Sequence, residues 1–580
     1  MTLVLDGPGP DGPLRRVLAQ LLSAALFEGL LSADILATSA IERAVPMRTR
    51  IGYLNVDFRV LKGAFGRYRI LPESVRIGGG KPDRNTLLAV LAGLRPNPAR
   101  LDDLTREFSR TVSGLAAATD RAPKDRRALA CDPLDAAIYE GHPYHPAFRG
   151  RLGFSAEDDR AFGPETCAAF KLHWCLVRKE RLSEAGTIAN SPDRWADFAG
   201  QEVAAAAQAQ AGRDTADWRL LPIHPWQWHR HARDLLAPAA ALGDLHHLGQ
   251  IGAFYGAGQS LRTLFNLERP QSPHLKLPLD VVNTSVPRTL EPHWALAAPA
   301  LSDWFERLVG GDPWLSENRR LVALKETSAA VFERHLSSAE QIGLIRRENP
   351  AKAVEAGESA VPLNALMTIE KDGDPFIQPW IERYGVRAFA DRLIEVVVLP
   401  FLHLLVAHGV AAEAHGQNVV LVHRDGWPVR IALRDFSDNL EWVPDFLWNV
   451  PPLPDFEAID RVFADPTPNR FYWMETLEDL RWLFMDAVLI FSISEISFLL
   501  ERRYGLPEAV FFETMAVMIK DHVRAFGLDD RFLRLGLDAG EIVTDRLLAS
   551  KLGRDPTWPL RVENPLARTL SGNLAKGAAA

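Results

Sequence analysis

Leu54, Val56, Phe58 and Val60 are apolar, and the residues between them, Asn55, Asp57 and Arg59, are polar. This period of two predicts a strand with one buried face. Upstream, Arg15-Arg16 lead into the apolar run Val17 to Phe27, which stops at Glu28. No cleavage signal follows, so an amphipathic helix is expected rather than an export signal. Lys81 to Asn85 reads as a turn before a helix over Thr86 to Leu91, ended by Gly93 and Pro96. Residues 1–135 are thus expected to be mostly helical with one strand-rich insertion.

A polar linker spans Asp120 to Arg127. Helical character is expected near 157–181 and 193–212, with Ala204 to Ala211 rich in strong helix formers. The aromatic segment Trp218 to Trp228 reads as an ordered wall or hinge. Lys276 to Val282 predicts a strand with a proline-marked edge or bulge. Helices are expected again over 315–345, and Ala351 to Ala360 reads as a connection. Residues 382–412 predict one long helix, kinked at Pro400. Its part from Val396 to Ala412, with His403 and His408, reads as buried rather than membrane-spanning. Asn418–Val422 and Pro428–Leu433 resemble two strands, and Asp425-Gly426 between them suits a hairpin turn. That hairpin would bring His415, Asn418, Arg434 and Asp435 together. The last 150 or so residues read as mainly helical.

A chain of 580 residues exceeds one ordinary core, and length alone suggests about three or four domains. The net charge of -8 and pI near 6.1 argue against an extended nucleic-acid footprint but permit a local positive pocket. Three cysteines, Cys131, Cys167 and Cys175, make neither a disulfide framework nor a zinc site. They are expected to be buried free thiols of a soluble cytoplasmic protein with no membrane partner.

Three separated segments carry the candidate chemistry. In the first, His142 and His145 each precede a proline, which holds them in a rigid loop, and Arg149 and Arg151 add fixed cationic forks. Either a structural loop or an anion site fits the histidines alone; the arginines favour the anion site. In the second, Ser260, Arg262 and Thr263, then Lys276, Thr284 and Arg288, could form an anion clamp. The usual Gly-rich phosphate loop is missing, so nucleotide binding would rest on dispersed side chains. In the third, Glu413, His415, Gln417 and Asn418 precede Arg434-Asp435. Glu413, Asn418 and Asp435 could offer oxygens to Mg2+. Alternatively, Glu413 is a salt-bridge partner and Asp435 orients Arg434.

In this order the segments resemble the siderophore synthetases that act independently of nonribosomal peptide synthetases, the aerobactin-synthetase-like family. Arg149 stands where that family usually has lysine. The resemblance covers most of the chain and implies a multidomain α+β fold, a cup of thumb (1–135), fingers (136–370) and palm (371–580). It implies ATP-dependent adenylation of citrate or a related carboxylic acid. Condensation with an amine or amino alcohol would follow, in a homodimer, with Mg2+. His142, His145, Arg149, Arg151, Ser260, Arg262, Thr263 and Lys276 would lie on the ATP side. Thr284, Arg288, His415, Gln417, Asn418 and Arg434 would grip the acid, and Glu413, Asn418 and Asp435 the metal. His145, Arg262, Lys276 and His415 are the catalytic candidates. A carboxylate–amine ligase outside siderophore synthesis and a noncatalytic anion or nucleotide sensor are the competing readings.

Overall fold

A computed structural model describes residues 12–36, 44–187, 191–284, 286–337, 340–554 and 559–574. The alternation at 54–60 lies inside the strand Leu54–Lys62, where Val56, Phe58 and Val60 are buried. It pairs antiparallel with Val45–Ile51 in a five-stranded sheet that packs on the helix Gly12–Phe27. The predicted turn at 81–85 starts the helix Arg84–Gly93, and Asp83 and Thr86 close a capping box at its first turn.

The centre of the molecule is an eight-stranded sheet with antiparallel neighbours throughout. In spatial order its strands are Leu182–Gly186, Glu326–Phe332, Ile342–Arg347, His274–Lys276, Thr263–Asn266, Leu245–Ala257, Phe170–Arg178 and Trp218–Ile223. Two expectations fail here. Helix near 157–181 stops at Phe162, and Phe170–Arg178 is a central strand. Helix over 315–345 is instead largely the strands Leu321–Leu324, Glu326–Phe332 and Ile342–Arg347, after two short helical turns. Leu321–Leu324 is covered on both faces, and double burial removes the alternation that marks a strand in sequence. The strand expected over Lys276–Val282 survives only as its ends, His274–Lys276 and Val282–Asn283. Pro278 lacks the N–H that the ladder needs.

The long helix expected over 382–412 is a stack of pieces. Val386–Leu393 and Leu399–His403 are α-helical, and Ile394–Val398 and Leu404–His408 are wider π turns. The first π turn lies just before Pro400, which cannot donate to the ladder. Gly409 ends the stack at φ 77°, and Val410–Ala412 is a strand. The hairpin is as read: Val419–Arg424 and Trp427–Arg434 pair antiparallel, and Asp425 and Gly426 turn with φ 52° and 92°. Trp427–Arg434 also pairs in parallel with Leu321–Leu324.

One large apolar core joins the N-terminal helix and sheet to residues 297–323 and 361–570; a second lies within 170–344. Buried ion pairs of Arg67 and Arg69 with Glu495 tie the N-terminal sheet to the C-terminal helices. The helical stretch Leu477–Tyr504 is long and apolar enough to cross a membrane, but most of it is packed inside the protein. All three cysteines are free, yet only Cys175 is buried; Cys131 is half-buried and Cys167 exposed, which corrects the expectation of buried thiols.

Candidate active site

The three polar segments meet around one cavity of about 1160 Å³. His142, Arg151, Ser260, Arg262, Thr263, Thr284, Arg288, Glu413, His415, Gln417, Asn418, Arg434 and Asp435 all line it. His145, Arg149 and Lys276 stand outside the lining. Arg151, Thr284 and Asp435 hold φ of 42°, 59° and 75°, a conformation that side chains other than glycine adopt at a cost.

The His-Pro loop is braced from the N-terminal helix, where Gln20 Nε2 donates to the carbonyls of His142 (2.8 Å) and His145 (2.7 Å). His142 Nδ1 accepts from the backbone N–H of Tyr144 and of His145. His415 Nδ1 accepts from Gln417 N. Each ring therefore keeps its proton on Nε2 when neutral. Both are neutral: burial, then His415 and Arg67, lower His142 to about 3. Burial, with Arg434 and Arg288 opposing Asp435, lowers His415 to about 4. Each presents an N–H donor rather than a base at Nε2.

Arg149 and Arg151 are given to the protein's own carboxylates. Arg151 reaches Glu165 at 2.7 Å and Asp159 at 2.6 Å, and Arg149 pairs with the same two acids. Lys276 is likewise engaged, with Asp435, with Ser437 Oγ at 3.1 Å and with Glu326 at 3.6 Å. Burial would raise Asp435, but Lys276, Arg347 and Arg262 hold it well below the carboxylate range. Arg434 is fixed by Asp135 at 2.6 Å and by the Gln417 carbonyl at 2.9 Å. Gly258 lets Asp135 approach: a Cβ there would come within 2.5 Å of its Oδ2.

Arg262, Arg288 and Arg347 differ. Among the described residues none has a carboxylate within ion-pair distance, and all three line the cavity. Arg262 donates to the Thr289 carbonyl, and Arg288 reaches Thr284 Oγ1 only at 3.5 Å. Burial, then Arg262, lowers Arg288 to about 10. Three cavity-lining guanidinium groups with no ion pair among the described residues make a receptor for a polyanion.

Sequence reasoning missed Arg347. Between Arg346 and Glu348 it reads as surface charge, and only its strand turns it inward. It also missed the opposite wall, where Asp438, Glu441, Asp479, Asp486 and Asp545 line the cavity. Asp486 carried a usable signal, a carboxylate inside the apolar run Leu483 to Phe491.

A citryl-spermidine/3,4-dihydroxybenzoyl-citryl-spermidine:spermidine ligase from Bacillus anthracis is 31% identical over 97% of this chain and 95% of its own length. The chain belongs to the IucA / IucC family. That family's profile matches residues 130–368, and a second, described as ferric iron reductase FhuF-like transporter, matches 387–575. The crystal structure of the petrobactin biosynthesis protein AsbB from Bacillus anthracis str. Sterne superposes with a TM-score of 0.87. Its identity is 29%, with 97% of each chain covered. ATP-bound aerobactin synthetase IucA from Klebsiella pneumoniae shares the fold at a TM-score of 0.76 and 19% identity, covering 95% and 99% of the two chains. The chain is thus a ligase of a siderophore-synthetase family.

Proposed function

We propose that this cavity adenylates a carboxylate of citrate or a related acid and passes the acyl group to an amine. The observation that carries this reading is the set Arg262, Arg288 and Arg347, which line the cavity and form no ion pair among the described residues. A nucleotide triphosphate and a polycarboxylate are the ligands whose charge such a set fits.

In the first step a carboxylate oxygen bonds to the α-phosphorus of ATP. The bond from that phosphorus to its bridging oxygen breaks, and pyrophosphate leaves. Arg262, with Ser260 and Thr263 beside it and His142 as a neutral donor, stabilises charge that builds on the phosphates. Arg288, Thr284, Gln417, the His415 N–H and Arg434 orient the acid. Lys276 acts from behind, as the counter-ion that keeps Asp435 ionised. His145 supports the loop that presents His142, and Arg149 and Arg151 with Glu165 fix the following turn. In the second step the amine nitrogen bonds to the acyl carbon, the bond to the adenylate oxygen breaks, and AMP leaves. The amine proton passes to a cavity carboxylate outside the metal set; Glu441, raised to about 7 by burial and Asp479, lines the cavity and is poised to take it.

Glu413 and Asp435 fit Mg2+. Glu413 and Asp435 converge with the Asn418 amide, whose nitrogen donates to the Glu413 carbonyl at 3.0 Å and leaves its oxygen available. Their mutual repulsion at Glu413 is what a hard cation would relieve. When bound, Mg2+ supplies charge neutralisation at the phosphates. By this reading residues 1–135, 136–370 and 371–580 act as thumb, fingers and palm, in a cytoplasmic homodimer testable by light scattering.

The test is pyrophosphate release with ATP and Mg2+ across a panel of carboxylic acids, with hydroxylamine as acceptor. Acid-dependent release with hydroxamate formation supports adenylation. Nucleotide binding with no release for any acid would favour the sensor reading.

A further inference from the structure

A second cluster of titratable side chains lies apart from the cavity. Asp312, His403, His408 and His522 are all buried, and none of them lines it. His403 and His408 belong to the helix stack that ends at Gly409. In a regular α-helix, residues five apart point roughly 140° away from each other. The π turn Leu404–His408 closes its hydrogen bonds at that spacing of five and brings both rings to one side, with centroids 5.9 Å apart. Asp312, the cap of the short helix Pro313–Ser316, meets them there. Its Oδ2 lies 3.2 Å from His403 Nε2 and 3.0 Å from His408 Nε2.

The far side of each group is held by the protein. Asp312 Oδ1 accepts from the backbone N–H of Trp314 at 2.9 Å and of Leu315 at 2.7 Å, which aims Oδ2 at the two rings. His408 Nδ1 faces the Trp448 carbonyl at 3.2 Å. A carbonyl oxygen only accepts, so Nδ1 carries the ring proton, and the neutral ring leaves a bare lone pair on Nε2. His403 Nδ1 and His522 Nε2 are 2.9 Å apart; with Nδ1 donating there, His403 Nε2 is bare as well. Two nitrogen lone pairs and a carboxylate oxygen then converge on one point. Alone they repel, and a cation shared between them turns the contact into attraction.

The spacing fits a metal ion. Ligand atoms about 2.1 Å from a common centre lie about 3.0–3.4 Å from one another at an octahedral face or a tetrahedral edge. The two measured edges fall in that range, and all three atoms lie within 4.8 Å of one another. Two imidazoles with one carboxylate select a transition metal over Mg2+ or Ca2+. The Trp448 carbonyl and His522 give the outer hydrogen bonds that metal-binding histidines need to fix their ring and tautomer. The rings of Trp314 and Phe526, each 4.9 Å from His403, add an apolar shell. We propose that Asp312, His403 and His408 bind one divalent transition metal, Zn2+ or Fe2+, with His522 as a positioning residue for His403. The ion pins the cap at 312 to the helix stack and, through His522, to the helix Glu508–Ala525. It is separate from the Mg2+ of the reaction.

The experiment uses the untagged full-length enzyme. Elemental analysis of the isolated protein is followed by chelator treatment. Zn2+ and, without air, Fe2+ are then titrated against a chromogenic chelator in excess Mg2+. About one equivalent should bind with a Kd below about 10 µM, and binding should raise the thermal midpoint. The ion recovered with the protein, or the one that binds tighter, is the resident one. His408→Gln should weaken binding by about a hundredfold and His522→Phe by about tenfold, while Asp435→Asn in the main cavity leaves it unchanged. Wild type that binds neither ion below that limit would overturn the proposal and leave the cluster as a buried imidazolium–carboxylate pair. Binding lost in Asp435→Asn but kept in His408→Gln would overturn it too. X-ray absorption on the loaded wild type decides the ligands even where a variant fails to fold. Two imidazoles around the metal are expected, and an all-oxygen shell would refute the site.

Discussion

Arg288→Met separates a residue kept for ligand binding from one kept for stability. Arg288 is largely buried, meets Arg262, and has no carboxylate in ion-pair range among the described residues. The drop from its ordinary 12.5 to about 10 corresponds to about 3 kcal/mol by which folding disfavours the charged form. Solvent reaches part of the side chain, so the recoverable amount is nearer about 1–2 kcal/mol. Methionine keeps the length and removes the charge. The ligand-free variant should therefore be as stable as wild type or more so, by up to about 2 kcal/mol in urea unfolding. Its acid-dependent pyrophosphate release should fall by about a hundredfold, as for loss of one charged transition-state contact. Stabilisation by citrate in the melt should disappear. A variant that unfolds at clearly lower urea and still turns over acid normally would refute the reasoning, because Arg288 would then be a structural residue.

Three further outcomes are expected. His142 and His415 are lowered to about 3 and about 4 in the folded protein from 6.5; the unfolded chain binds more protons, so their contribution is full above pH 6.5 and is lost as pH falls toward 4. Urea midpoints that do not fall over that window, or that fall equally in a His142→Asn/His415→Asn double variant, would contradict this. Glu165→Gln strips Arg149 and Arg151 of the more buried of their two shared carboxylates and should cost about 3–5 kcal/mol, so an unchanged urea midpoint would count against the buried pair. Asp435→Asn should raise the Mg2+ concentration for half-maximal pyrophosphate release about tenfold, and an unchanged titration would remove Asp435 from the metal site.

The elements legible in sequence were those with one wet face. The strand at 54–60 kept its alternation because Asn55, Asp57 and Arg59 face outward, and the hairpin announced itself through Asp425-Gly426. Leu321–Leu324 was misread because covering both faces leaves only an apolar run, and length does not separate strand from helix there, whereas Phe170–Trp174 does alternate apolar and polar residues. At the site, loop residues such as His142, Arg262 and His415 could be singled out from prolines, hydroxyls and amides nearby. Arg347 could not, since its strand points it inward from a distant part of the chain, and Asp486 stood out only as a carboxylate within an apolar run. Lys276 and Arg149 show the converse: sequence supplies the charge, but only the fold reveals that Asp435 and Glu165 already claim it.

The central claim, that a carboxylate attacks the α-phosphorus of ATP, is tested most directly by isotope transfer. With carboxylate-18O-labelled citrate, or whichever acid the panel identifies, and an amine acceptor, one 18O should appear in AMP for each amide formed. Label in inorganic phosphate alongside ADP, or amide formed with unlabelled AMP, would contradict adenylation.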